Sequence, residues 1–148
     1  MGNYLIMQIA HIGTNAYVIT WSRGEEVLTS LREFLASKNI RAGHFTGLGA
    51  AESLEFGFYN LETKEYEQRR TNYDVEILSL TGNVAMMDGN YIVHMHGVFG
   101  KRDFSAFGGH VFSIQVSGAC ELHLTVLDGL MDRAYDEATG LNLLCGMQ

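Results

Sequence analysis

The sequence predicts an α+β domain in which an antiparallel-dominated sheet curls around one main α-helix. Most of the 148 residues fall in β-branched and aromatic runs separated by Gly, Asn or Asp. A single early segment carries apolar residues at helical spacing. Strands then follow strands instead of alternating with helices, which excludes a doubly wound parallel fold. The length suits one domain, residues 1–148, with enough core to fold without disulfides. No proline, internal repeat or low-complexity stretch marks a linker.

Strands are predicted over 16–21, 42–49, 54–59, 75–81, 91–98, 111–116 and 120–127. The helix spans 24–38 and ends near Asn39. Val27, Leu28, Leu31, Phe34 and Leu35 share one face of it, and Glu25 and Glu26 stand in its first turn, where the helix dipole favours carboxylates. Glycines concentrate at the expected strand ends: Gly47-Leu48-Gly49, Gly82-Asn83, Asp88-Gly89-Asn90, Gly108-Gly109 and Asp128-Gly129. They read as turns, bulges or close backbone approaches. Gly47-Leu48-Gly49 lacks both the third glycine and the following helix of a dinucleotide-binding loop, so no phosphate cradle is expected there.

Composition narrows the function classes. No apolar run reaches the length of a membrane span, and the opening residues lack the basic and apolar regions of a secretory signal, so a cytoplasmic protein without membrane partners is expected. Cys120 and Cys145 share no metal or redox spacing and are expected to be reduced thiols, Cys120 packing as a small apolar residue. The formal net charge of −7 works against direct DNA binding, because affinity for a phosphate backbone comes from Lys and Arg displacing counterions. Arg69-Arg70 and Lys101-Arg102 are short basic pairs, expected on solvated faces.

The residues with chemistry are histidines. His94 and His96 stand two apart in a predicted strand, so both rings leave the same face, roughly 6–7 Å apart at the backbone. That separation lets two imidazoles converge on one ion. A catalytic zinc centre commonly takes three protein ligands and keeps a fourth position open. His110, behind Gly108-Gly109, would be the third if the strands on either side of the loop at 100–109 pair and the glycines turn the chain tightly. Spacing alone also allows three separate histidines satisfied by backbone and water. His44 is expected to be a hydrogen-bonded structural histidine, and His123 to lie on the wetter face of its strand. His11 has no identifiable partner. Glu76 is a surface carboxylate unless the sheet carries it to the metal site.

The runs Glu76-Ile77-Leu78-Ser79-Leu80-Thr81-Gly82-Asn83, Val93-His94-Met95-His96, Gly108-Gly109-His110, Asp132-Arg133 and Asp136-Glu137-Ala138-Thr139-Gly140-Leu141, with Gly24-Glu25-Glu26 and Gly47-Leu48-Gly49-Ala50, resemble the PPC (plants and prokaryotes conserved) domain over nearly the whole chain. The resemblance is to its prokaryotic branch, predicted DNA-binding proteins without an AT-hook. It implies an antiparallel sheet packed around one helix, a homotrimer, and a bound metal ion, usually zinc, at the positions of His94, His96 and His110. Plant members add AT-hooks centred on Arg-Gly-Arg. Here Ser22-Arg23-Gly24-Glu25 lacks the second arginine, so DNA binding does not carry over.

Two functions follow as expectations. One is a zinc- or other transition-metal-binding domain that takes a small-molecule ligand, with metal-dependent hydrolysis as its natural chemistry. The other is an oligomeric regulatory module that binds DNA or a protein partner. A cupin-like site ranks last, because Val98-Phe99-Gly100-Lys101 stands where that pattern places an acidic ligand.

Overall fold

The computed structural model describes residues 7–147. Its strands are β1 (Gln8–Ile12), β2 (Ala16–Ser22), β3 (Gly43–Asn60), β4 (Glu65–Thr71), β5 (Val75–Met87), β6 (Asn90–Gly100), β7 (Ala106–Val126), β8 (Met131–Asp136) and β9 (Leu141–Met147), and its helix is α1 (Val27–Lys38). All nine strands belong to one sheet. Every pairing is antiparallel except a single parallel bridge, Met86 to Asp132, between β5 and β8. The sheet is therefore mixed. β3 pairs with β5, β5 with β6, β6 with β7, and β7 again with β3, so four long strands close a hydrogen-bonded circuit.

The predicted segments 42–49 and 54–59 are one strand, β3, as 111–116 and 120–127 are one strand, β7. The intervening glycines do not reverse the chain. They accompany register shifts at Gly47/Gly49, Gly49/Ala51 and Ala51/Ser53, bulges that bend a continuous strand around the core. Likewise 75–81 runs on through Gly82-Asn83 to Met87, because a Cβ at Gly82 would collide with the His94 carbonyl oxygen and the Phe45 ring. Close approach, not a turn, requires that glycine. The strands β1, β4, β8 and β9 carried no apolar alternation to reveal them; β4 buries only Thr71.

The helix starts later than 24. Glu26 is its N-cap, accepting from the backbone N–H of Leu28 (3.2 Å) and Thr29 (2.7 Å), while Glu25 sits before it and accepts from Ser22 N–H (2.7 Å). Neither glutamate is in the first turn. An extended residue ahead of the helix has its carboxylate free to reach unpaired N–H groups, which a helical residue at the same place does not. Asn39, at φ 53°, ψ 40°, ends the helix in the left-handed conformation.

Val27, Leu28, Leu31, Phe34 and Leu35 bury the helix face among Ile19 and Trp21 of β2, Phe45 of β3, Val93, Met95 and Phe99 of β6, and Ile114, Val116 and Leu122 of β7. The Trp21 indole N–H donates to Ser30 Oγ at 2.6 Å, so the large ring is buried with its polar atom satisfied. Cys120 is wholly buried in this core, and burial pushes its thiol up to about 12. Cys145 is an exposed free thiol. Because Val93, Met95 and Phe99 face inward, the alternate residues of β6, His94, His96 and Val98, face outward.

Candidate metal centre

β6 places His94 and His96 side by side, ring centroids 5.0 Å apart. His110 lies on β7 at the residue where that strand passes from pairing with β6, opposite His96, to pairing with β3, opposite Gly57. Its ring centroid is 5.0 Å from that of His94 and 5.4 Å from that of His96. One nitrogen from each of the three rings lies within 4.8 Å of the others. The trio expected from spacing therefore meets.

Gly108 and Gly109 act differently from the tight turn expected of them. Both lie inside β7, and the loop of the hairpin is only 101–105. A Cβ on Gly108 would strike the Gly97 carbonyl oxygen, and one on Gly109 would stand 2.6 Å from that of Gly57. Two bare residues let β7 be gripped between β6 and β3, and this grip brings His110 to the other histidines.

Burial, together with Arg133 and His96, lowers the His94 imidazole to about 4; burial and the charges of His94, His96 and Arg133 lower His110 likewise to about 4. Both rings are therefore neutral near pH 7, the form in which imidazole binds a metal. His110 Nδ1 is buried with no hydrogen-bond partner among the described residues, so one nitrogen of this ring is left uncommitted. Tyr66 of β4 and Phe112 of β7 wall the His110 ring, at centroid distances of 5.0 and 4.7 Å. Three imidazoles at this spacing are a donor set that fits zinc or a neighbouring divalent transition metal.

Arg133, to which no sequence pattern assigned a role, also reaches the cluster. It donates through Nη2 to Asn83 Oδ1 (2.7 Å) and to His94 Nδ1 (3.2 Å), and through Nη1 to the Asn142 carbonyl (2.7 Å). Arg133 belongs to β8, which touches β5 through the one parallel bridge, a contact that no periodicity signals.

The other titratable residues weighed for a role fall elsewhere, as the register makes plain. Glu76 pairs with Ala50 and Gly100, seven residues along β5 from Asn83, which faces His94; that is roughly 23 Å of strand. It takes no part in the cluster. His44 is exposed and makes no side-chain hydrogen bond among the described residues, contrary to the expected structural role, because its strand parity turns it outward between Asn83 and Thr125. His123 is exposed, as expected. His11 is exposed and stacks on Tyr17 at 4.6 Å. Arg69, Arg70, Lys101 and Arg102 all lie at the surface. No described helix is long and apolar enough to cross a membrane.

Residues 10–128 match the family described as the Plants and Prokaryotes Conserved (PCC) domain. Among solved structures, a metal-containing protein from Archaeoglobus fulgidus is 35% identical, with a TM-score of 0.84 over 99% of this chain and 100% of the other. One from Bacteroides thetaiotaomicron, named as a candidate DNA-binding protein, is 30% identical, with a TM-score of 0.90 over 95% of this chain and 98% of the other. A plant- and prokaryote-conserved (PPC) protein from Pyrococcus horikoshii is 26% identical, with a TM-score of 0.82 over 97% and 96%. No curated protein matches the chain. With the family match spanning most of the sequence and relatives of this similarity aligned nearly end to end, the chain belongs to the Plants and Prokaryotes Conserved domain family.

Proposed function

We propose that this protein is a single-domain, cytoplasmic, homotrimeric metal-binding protein whose ion, zinc or another divalent transition metal, is held by His94, His96 and His110 and receives a small-molecule ligand. The observation that carries this reading is the convergence of three imidazole nitrogens within 4.8 Å on the outer face of β6 and β7. The metal-containing relative from Archaeoglobus fulgidus supports it. A zinc ion with three protein ligands keeps one position open and supplies Lewis-acid polarisation of a ligand oxygen, the chemistry of metal-dependent hydrolysis. The chain's own contribution is to keep His94 and His110 neutral by burial, to fix His110 by the glycine grip, and to wall the site with Tyr66 and Phe112.

Elemental analysis of tag-free protein tests this. Near-stoichiometric transition metal is expected in the wild type and its loss in folded His94→Ala and His110→Ala variants; a wild type that stays metal-free after reconstitution refutes the reading. The second reading, a regulatory module that binds DNA or a protein, is favoured by the candidate DNA-binding relative. The net charge of −7 opposes its DNA form. A gel-shift titration at low salt, where every phosphate contact is strongest, decides it: no shift there removes DNA as a partner.

A further inference from the structure

The guanidinium of Arg133 is oriented the wrong way for a metal centre that contains protein alone. Behind a metal-bound imidazole, the second ring nitrogen usually donates its hydrogen to a carboxylate or carbonyl. Here the group against His94 Nδ1 is Arg133 Nη2, at 3.2 Å, which is a donor only. That contact needs the lone pair on Nδ1. If Nδ1 ligates an ion, the lone pair is taken; if Nε2 ligates, Nδ1 carries the proton and two donors face one another. Either way, loading the site releases Arg133 from His94.

Charge leads to the same place. The ligand cluster among the described residues is His94, His96 and His110, three groups with no negative charge, and the charged side chain hydrogen-bonded to it is the Arg133 guanidinium. A divalent ion held by these three neutral-ligand side chains would thus stand beside a half-buried guanidinium with no carboxylate in its ligand set, two like charges close together in a partly buried site. Arg133 also has a buried Nε with no hydrogen-bond partner among the described residues, and a guanidinium's paired N–H groups match a planar carboxylate in shape.

Resting on the metal reading above, we propose that Arg133 is the binding residue for a small carboxylate that shares the metal centre, one oxygen toward the ion and the other on the guanidinium, so that metal and carboxylate bind cooperatively. A single guanidinium matches a single negative charge. Lys64, in the turn between β3 and β4, spends its ammonium on the Glu137 carbonyl at 2.6 Å and is no second cation for a more highly charged phosphate. Asn83 Oδ1 and the Asn142 carbonyl, each 2.7 Å from a terminal nitrogen, hold Arg133 in reach of the cluster once His94 has let go.

The test titrates Co²⁺ into metal-free protein and follows its visible absorption, with no added anion, with acetate and with inorganic phosphate, for the wild type, Arg133→Gln and Arg133→Lys. Acetate is expected to tighten Co²⁺ binding to the wild type by about fivefold or more and to shift its spectrum, a coupling of ordinary size. Arg133→Gln, relieved of a competing donor and a positive charge, is expected to bind Co²⁺ more tightly than the wild type in the absence of anion and to lose the acetate effect. Arg133→Lys keeps the charge without the fork and is expected to lose most of the coupling; it serves as the decisive variant should Arg133→Gln fail to fold. Equal Co²⁺ affinity with and without acetate in the wild type, or coupling retained in the variants, overturns the proposal and leaves the metal site standing. Coupling to phosphate and not to acetate overturns the carboxylate assignment. Failure of all three folded proteins to bind Co²⁺ overturns the metal reading itself.

Discussion

Single residues in this protein are constrained by backbone approach and by the protonation state of buried rings. Gly82 has the His94 carbonyl and the Phe45 ring where its Cβ would be, and neither can retreat without moving β6 or the core. Gly82→Ala is therefore expected to cost on the order of 1–3 kcal/mol in denaturant unfolding, as overpacking does. Gly118→Ala has nothing within 4 Å of its new methyl and serves as the near-neutral control. The histidines give a pH signature. His94 and His110 take up protons near pH 4 in the folded chain and near the ordinary histidine value once unfolded, so the unfolded state binds more protons between those limits. Stability of the metal-free protein is expected to fall as pH is lowered from about 6.5 toward 4. Stepwise denaturant titrations should show this slope in the wild type and a shallower one in His110→Ala.

At the scale of elements, the start of α1 is joined to the sheet by one carboxylate. Glu26 caps the helix and also accepts from Ile114 N–H of β7 at 3.0 Å. Burial works against its ionisation, but the hydrogen bonds from Thr29, Ile114 and Leu28 outweigh it and hold the carboxyl below its ordinary value. Glu26→Ala removes the cap and leaves a β7 amide unpaired, an expected loss of about 1–3 kcal/mol, with Glu26→Gln losing less because it keeps an acceptor oxygen. The same residue marks the limit of what the sequence discloses. Apolar periodicity located the helix face and the inward residues of β2, β3, β5, β6 and β7, because burial on one side imposes a period. It could not distinguish a turn from a bulge at Gly47 to Ser53, since both use glycine and small polar residues. The strands that are polar on both faces, such as β4, left no period to read. For the site, the i, i+2 pair and the glycine-flanked third histidine were legible. Arg133 was not, because its position depends on the β5–β8 bridge between distant segments.

The whole molecule presents two adjoining zones on the outer face of its closed circuit. One is polar, with His94, His96, Thr81, Asn83 and Thr46 in rows across β6, β5 and β3. The next is apolar: Leu48, Leu78 and Val98 stand at the shifted registers of the same three strands, 57%, 55% and 45% exposed. Scattered exposed leucines need no explanation, but neighbours on adjacent strands form a patch of the kind that assembly covers. Val98 follows His96 by two residues on the same face, so a second copy seated there would lie beside the proposed metal site, about 6–7 Å along the strand. The homotrimer implied by the family resemblance is expected to use this zone. Sedimentation velocity of the wild type should then give a trimer, and Leu78→Glu, which places a charge at the centre of the patch, should give a monomer with an unchanged far-ultraviolet spectrum. A trimer indifferent to Leu78→Glu would move the interface elsewhere on the sheet, and a monomeric wild type would refute the proposed homotrimer.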